Sequence, residues 1–547
     1  MTSAVAARRH GLVGFRSRPV HAHDLIAVAT AAAVLLGIAL RLREYAFNRS
    51  LWLDELNLAD NIITRGFVAL TKPLAAAQAA PIGYLWLTRL SVNVFGVNEF
   101  SLRLIAVLGS LVALAVFALL AWRLLPPAAA AVATFLFATT PNLIVYSSEV
   151  KQYSTDVMAA VVLTYATCCL PARLRWTAAA RFALLAATLV WLSQPAIPVA
   201  FCCVAVVVAR GVRRPRDVMP LLPGGAVLGT SVLVEYFVSL RRQSTNSTLK
   251  AYWKAGFPPG HGSRLGWLVS DLRSVLTDPL AMHATTLSLL LALIGLMTLV
   301  VRQSWMALAL IGSVLLLAVL LALAGVYPLR QRLALYLEPA AFLLLAAGLA
   351  WVPPWPAGSP ELPRRARLTG TVVAALVALG LVGTAGSGIA RGVTVLGRPI
   401  DVTAGREAIA FVAGHQQPGD RVYSERAWAA PTFGYYGPRL HVTQSGSFSW
   451  APAPAGGGAC ARPHFPASVT RVWIVFAHRA SSYPTDRAQL YLSSFAQQGT
   501  VKQSYAGYGG SGAYLLDLTR RPHSSAVQTP KDAAHCVVLG PRDAALV

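Results

Sequence analysis

The sequence predicts a mostly α, polytopic transmembrane helical bundle of about eleven spans, followed by a C-terminal α/β domain. Three observations predict it. The 547 residues are 55% hydrophobic and only 13% charged, with mean hydropathy +0.55, whereas soluble domains carry about 25% charged residues. Apolar runs recur from residue 25 to about residue 390. Beyond residue 391 Gly, Pro and polar residues rise, and helix-like and strand-like patterns alternate.

The formal charge of +25 does not make this a nucleic-acid-binding chain. Its basic residues fall in short clusters between apolar runs and form no continuous basic face. Retention of positive loops in the cytoplasm leaves that pattern. Nucleic acid is therefore excluded as a partner, and membrane lipid is expected as one.

Residues 1–24 form a basic cytoplasmic N-terminal segment with Arg8, Arg9, Arg16 and Arg18. Residues 25–40, LIAVATAAAVLLGIAL, read as an uncleaved first span, because no small-residue cleavage site follows and more spans do. The first outer loop, 43–99, is too polar to face lipid and too apolar to hang free, so short interfacial helices are expected in it. Further spans are expected near 100–122, 128–146, 156–170, 179–193, 196–210, 218–240, 284–301, 305–326, 332–351 and 369–390. Several fall short of the roughly 20 residues that a span prefers.

Eleven spans place the C-terminus opposite a cytoplasmic N-terminus. The cytoplasmic turns then hold Arg123, Arg173, Arg175, Arg181, Arg210, Arg213, Arg214, Arg216, Arg302, Arg364, Arg365 and Arg367. The short outer turns at 147–155, 194–195 and 327–331 carry little basic charge, as this orientation requires. Residues 391–522 are read as an extracytoplasmic α/β domain and 523–547 as a disordered tail. Helices are expected in DVTAGREAIAFVAG and near 485–497. Strands are expected in PGDRVYSE, in SVTRVWIVFAH, near 500–505 and near 512–518. Of six cysteines, Cys168, Cys169, Cys202 and Cys203 lie in or beside apolar segments, as small buried apolar residues do. A disulfide between Cys460 and Cys536 stays open, given an extracytoplasmic tail. No Cys/His spacing suggests a metal.

On this topology one face gathers polar residues from separate turns: Asp54 and Glu55; Glu149, Lys151, Tyr153 and Asp156; Gln194; and Arg330 and Arg332. Ionisable groups at membrane depth are costly and face a bundle interior or cavity. On a helix Asp54, Asn57 and Asn61 share a face, while Glu55 is turned by about 100°. The bland readings are a solvated boundary for Asp54, a loop ion pair for Glu149 and Lys151, and headgroup anchors for the arginines. Sugar transfer from a lipid phosphate to a hydroxyl uses the whole set: a carboxylate takes the hydroxyl proton and cations stabilise the departing phosphate. No Walker loop, GxSxG or HExxH points to other chemistry.

The blocks SLWLDELNLADNIITRGFVALTKPL, QAAPIGYLWLTRLSVNVFGVNEFSLRLIAVLGSL and PNLIVYSSEVKQYSTDV, in that order, resemble the bacterial glycosyltransferase family 39-like membrane proteins. These belong to the GT-C superfamily, with the protein O-mannosyltransferases and the lipid A aminoarabinose transferase as relatives. The resemblance covers about the first 350 residues and implies a GT-C-type bundle. It implies an inverting transferase using a polyprenyl-phosphate-linked sugar, with Asp54 as catalytic base and Glu55 beside it. It implies that Glu149, Lys151 and Tyr153 lie near donor or acceptor, and Asn57, on the face of Asp54 by helical spacing, is read with them as substrate-binding. The similar late Arg-bearing turn YPLRQRLALYLEP suggests Arg330 or Arg332 for the donor phosphate, and Lys151 is expected to bind it as well. Many relatives read His-Pro-Pro where this chain has Ala80-Pro81-Ile82, so the acceptor, whether glycan, lipid or protein, does not carry over. Asp54-Glu55 lacks the spacer of an Asp-x-Asp metal motif, so no metal and no cofactor are expected.

The Ala-, Arg- and Gly-rich composition suggests a bacterial plasma membrane, with mannose or arabinose as candidate sugars. A transporter or flippase of a lipid-linked sugar is the rival reading. It calls for charges at mid-membrane on broken spans, whereas most charges here sit at span ends.

Overall fold

The computed structural model describes residues 22–211, 216, 218–351, 363–400, 403–452, 465–477, 491–492, 494–495, 498–507, 510–519 and 535–540. Helix α1 (Ala22–Ala46) leads into a segment that holds α2 (Leu53–Thr64) and α3 (Ile82–Phe95). Then come α4 (Glu99–Leu124), α5 (Pro127–Thr139), α6 (Pro141–Val145) and α7 (Tyr153–Cys169). Further apolar helices cover Trp176–Leu192, Ala196–Gly211, Leu221–Glu235, Thr285–Val301, Trp305–Leu323, Glu338–Ala347 and Arg364–Val393. Each of the eleven expected apolar segments therefore falls on helix. Among the described residues six helices are long and apolar enough to cross a membrane by themselves. The chain from Pro127 to Ser148 passes the same test only as a pair bent by 56°. Pro141 sits at that break, where it has no N–H to continue the helical ladder.

Local signals fix several helix ends. Asn98 caps α4, its side-chain oxygen accepting from the Ser101 N–H at 2.9 Å. Glu55, three residues into α2, accepts from the Trp52 N–H at 3.3 Å. Arg41, fully buried on α1, ties three helices together. It donates to the Ala138 and Phe137 carbonyls at 3.0 and 3.1 Å and to the Ser110 hydroxyl at 2.8 Å. Those carbonyls lie in the last turn of α5, where a cation is favoured. Helices α1 and α5 touch closely enough that a Cβ on Gly37 would lie 2.9 Å from that of Ala138.

After the bundle, the Gly405–His415 helix precedes a mixed sheet. Its strands are β1 (Arg421–Glu425), β2 (Gly446–Pro452), β3 (Arg471–Phe476), β4 (Thr500–Ala506), β5 (Gly512–Asp517) and β6 (His535–Gly540), in the order β4-β5-β3-β1-β2-β6. Strand β1 runs parallel to β2 and β3, and the other pairings are antiparallel. The sequence RVWIVF of β3 does not alternate because the strand is buried on both faces.

Three expectations change here. The Arg426–Leu440 helix and β2 were not anticipated: the helix contains Pro431 and Pro438, which read as breakers. The tail expected to be disordered contains β6, whose run Cys536-Val537-Val538-Leu539 pairs along β2. Residues 1–21 and Cys460 lie outside the described residues, as does most of 485–497.

The C-terminal domain shares a core with the segment between α1 and α4. Leu51, Leu56 and Ile62 pack in one cluster with Ile409, Val412, Tyr436 and Trp473. The Leu51 N–H donates to the Tyr436 hydroxyl at 2.8 Å. Arg406 reaches the Asn48 carbonyl at 2.7 Å and pairs with Glu99 at 3.3 Å. The segment leading into α2 is thus gripped from the C-terminal side.

Candidate active site

Asp54 lies in the first turn of α2 with 18% of its side chain exposed. Its Oδ1 accepts from Lys151 Nζ at 3.0 Å and from Gln78 Nε2 at 3.2 Å. Its Oδ2 pairs with an Arg332 nitrogen at 3.0 Å. Gln78 closes the arrangement by accepting from Lys151 at 2.5 Å. Burial pushes the Asp54 carboxyl up, but Lys151 and Arg332 outweigh it and hold the pKa down at about 2. Burial pushes Lys151 down, against the pull of Asp54.

Arg332 follows directly on Gln331, which stands at φ +45 in the left-handed region. Its guanidinium is enclosed by three aromatic rings, with centroids 5.5 Å (Trp52), 5.7 Å (Tyr153) and 5.4 Å (Trp253) away. Trp52 donates from Nε1 to Glu149 Oε1 at 3.1 Å. Burial and the nearby Glu55 raise the Glu149 carboxyl to about 7, with Arg49 and Arg332 pulling the other way.

Glu55 faces a different partner. Arg103 grips it with two bonds of 2.9 and 2.8 Å, and the Val150 N–H donates to it at 2.9 Å. Expected beside Asp54 in the chemistry, it is instead fully buried and pinned by an arginine from α4. Its bond to Val150 fixes the turn that carries Glu149 and Lys151. The helical offset between the two acids, legible in the sequence, is what separates them.

Other assignments divide in the same way. Tyr153 and Glu149 sit with the cluster. Arg330 turns away, pairing with Asp271 at 3.3 Å, and is 34% exposed. Asn57 is one turn along α2 and half-buried, and its carbonyl accepts from Asn61 at 2.7 Å. Its side chain makes no hydrogen bond to the cluster among the described residues. Gln194 bonds Gln243 at 2.6 Å. Sequence reading missed Gln78, Arg103 and Trp253 as members of the site. Arg103 did carry a signal, being a charge inside an otherwise apolar span.

Glu55 is matched by Arg103 and Glu44 by Arg49 at 2.7 Å, while Lys151 and Arg332 share Asp54. The cluster is suited to an anion entering beside aromatic surface. Among the described residues no three His, Cys, Asp or Glu side chains form a metal-holding group.

Residues 79–235 match the family of dolichyl-phosphate-mannose-protein mannosyltransferases. Among solved structures the chain is similar to ArnT from Cupriavidus metallidurans bound to undecaprenyl phosphate, with 13% identity over 90% of this chain and 98% of that one, TM-score 0.48. It is similar to the Archaeoglobus fulgidus oligosaccharyltransferase in complex with Zn and sulfate, with 12% identity over 89% of this chain and 72% of that one, TM-score 0.43. No curated protein matches the chain's sequence significantly. The family match covers residues 79–235, and over that part the chain is similar to the protein mannosyltransferases; six helices among the described residues are long and apolar enough to cross a membrane.

Proposed function

We propose that the protein transfers a sugar from a polyprenyl-phosphate donor to an acceptor hydroxyl, with inversion, at the extracytoplasmic face of a bacterial plasma membrane. The observation that carries this reading is Asp54 bridging two cations, Lys151 and Arg332, each at 3.0 Å. A base and the phosphate's counter-charges are then in one place. The donor phosphate binds Arg332 and Lys151, and the sugar's C1 lies near Asp54. The acceptor oxygen attacks C1 and its proton passes to Asp54. The bond from C1 to the phosphate oxygen breaks, and its electron pair leaves with the polyprenyl phosphate.

A carboxylate held at about 2 is a weak base, since a general base works best with a pKa near the operating pH. In this mechanism the donor corrects that. Its phosphate competes for Lys151 and Arg332, and Asp54, relieved of them, rises toward a useful basicity. Arg332 stabilises the leaving phosphate, and the rings of Trp52, Tyr153 and Trp253 exclude water around it. Glu149 and Tyr153 border the donor. Glu55 acts through Arg103 and Val150 as a positioning residue.

The orientation is supported by the chain's direction through the bundle. Helix α7 starts at the site, and the arginines at 173, 175 and 181 follow its far end. The N-terminus would then be cytoplasmic, with the C-terminal domain on the side of the site.

The experiment is transfer of labelled sugar from a panel of polyprenyl-phosphate sugars, mannose and arabinose among them, by purified protein in lipid with a membrane extract as acceptor. Label moving in wild type but not in Asp54→Asn, with the product anomer inverted by NMR, is expected. Lipid-linked sugar crossing vesicles without transfer would replace this reading by a flippase.

A further inference from the structure

The chain enters α2 through a short strap, residues 48–51, and Asp54 lies in the first helical turn beyond it. The strap is bonded from two sides. From the bundle, Arg103 donates to the Arg49 and Ser50 carbonyls at 2.7 and 3.3 Å. From the C-terminal domain, the Arg406 guanidinium donates to the Asn48 carbonyl at 2.7 Å, and the Arg406 backbone N–H to the Ser50 hydroxyl at 3.1 Å. That hydroxyl in turn donates to the Glu407 carboxylate. The Leu51 N–H donates to the Tyr436 hydroxyl at 2.8 Å, and both residues are buried.

These bonds add what the shared apolar core lacks. Apolar burial is non-directional and lets packed surfaces slide, whereas a hydrogen bond fixes its partners in distance and angle. The bond from the Arg406 guanidinium is charge-assisted and stronger for it. The contacts fall on main chain and on Ser50, directly ahead of Trp52 and Asp54. Trp52 covers Arg332 and bonds Glu149, while Asp54 meets Lys151 and Arg332. Those two cations belong to other elements of the bundle, so the meeting depends on where the strap delivers α2. Glu99, at the start of α4, pairs with Arg406 at 3.3 Å, and Arg103, one turn on, holds Glu55. One end of α4 thus ties the strap, α2 and the C-terminal domain to a common frame.

We propose that the C-terminal domain is part of the catalytic unit, with Tyr436 and Arg406 as positioning residues that set the place of Asp54 through the strap. The proposal rests on the transfer reading above, which gives Asp54 the role of base. A base must lie within hydrogen-bond reach of the proton it takes, and a misplacement of about 1 Å can cost about 10²-fold in rate. Removing the Tyr436 hydroxyl frees the Leu51 N–H and loosens the delivery of Asp54. The cations for the donor phosphate stay on their own elements.

Full-length protein in lipid tests this as wild type, Tyr436→Phe, Arg406→Met, Arg406→Lys and Arg471→Gln. Arg471 pairs with Asp420 at 2.8 Å within the sheet, so its loss weakens the domain without removing a bond to the strap. With a polyprenyl-phosphate sugar as donor, kcat is expected to fall about tenfold in Tyr436→Phe and further in Arg406→Met, with donor KM within about twofold of wild type. Arg406→Lys keeps a cationic donor and should recover part of the loss. Arg471→Gln should lower the melting temperature and leave kcat unchanged. An equal kcat loss in Arg471→Gln would reduce the contacts to domain stability and overturn the proposal. Unchanged kcat in Tyr436→Phe and Arg406→Met, or a donor KM that rises as far as kcat falls, would overturn it too. A readout independent of transfer is fluorine NMR of protein labelled with fluorotryptophan, its Trp52 line assigned with Trp52→Phe. That line is expected to move in Tyr436→Phe and Arg406→Met and to stay in place in Arg471→Gln. A line unmoved in the first two would sink the coupling. No transfer by wild type, with the line moving as expected, would count against the donor reading and leave the coupling standing.

Discussion

Asp54 and Arg332 meet at 3.0 Å, although one sits on α2, near the start of the chain, and the other on the turn before a late apolar helix. The contact joins the candidate base to the candidate phosphate ligand and sets the charge balance of the site. It also makes the two residues separable by experiment, because each predicts a different kinetic failure.

Asp54→Asn keeps the shape of the side chain and its bond to Gln78 while removing the proton acceptor. General bases contribute about 10²–10⁴-fold, so transfer is expected to fall by about 10³-fold. Size-exclusion profile and thermal unfolding should stay close to wild type. Full activity in this variant would remove Asp54 as the base.

Arg332→Gln is expected to raise the donor KM and lower kcat, together costing about 10²-fold in kcat/KM, because the cation is desolvated among three rings. Arg330→Gln, whose side chain points to Asp271 rather than to Asp54, should change kcat/KM by less than about threefold, well short of losing a charge-assisted bond to the phosphate. A reversed order of effects would transfer the phosphate role to Arg330.

Lys151→Met removes a cation that holds Asp54 near 2. The carboxyl should then titrate at higher pH, moving the acid limb of the kcat/KM profile upward. An acid limb that stays where it was would mean that Lys151 does not set the basicity of Asp54.

Glu149 titrates near 7 in the fold but near 4.3 in an unfolded chain. Between those values the folded protein binds the extra proton, so stability falls as pH rises, by at most about 1.4 kcal/mol per pH unit, and levels off above 7. Glu149→Gln should flatten this slope in chemical unfolding measured from pH 5 to 8. An unchanged slope would mean that other groups produce it.

Glu55→Gln would leave the Arg103 guanidinium buried without its counter-charge. Breaking a buried pair on one side costs about 3–5 kcal/mol, so a clear drop in melting temperature is expected. Glu55→Met combined with Arg103→Leu should recover much of it. A stable Glu55→Gln protein with no transfer would instead return Glu55 to the chemistry.

Much of this was legible in the chain because the signals were local. Long apolar runs specify helices in a membrane whatever packs around them, since every backbone group must be satisfied within its segment. The offset of Glu55 from Asp54 follows from helical geometry alone. The β-branched run in β3 specified a strand. The Arg426–Leu440 helix stayed hidden because Pro431 and Pro438 argue locally against it, and the surrounding core outweighs them.

The sequence by itself determined the bundle of apolar helices, the grouping of Asp54, Lys151 and Arg332 at one end of it, and the sheet-bearing region that follows. Only the tertiary structure decided which of Arg330 and Arg332 reaches Asp54, that Arg103 claims Glu55, and that Gln78 joins Lys151 at Asp54. Those choices depend on where side chains from distant turns point, and neighbouring residues in one turn are alike in composition and spacing. Periodicity names the face of a helix. It carries no information on which distant residue comes to meet it, because that is set by how the helices pack.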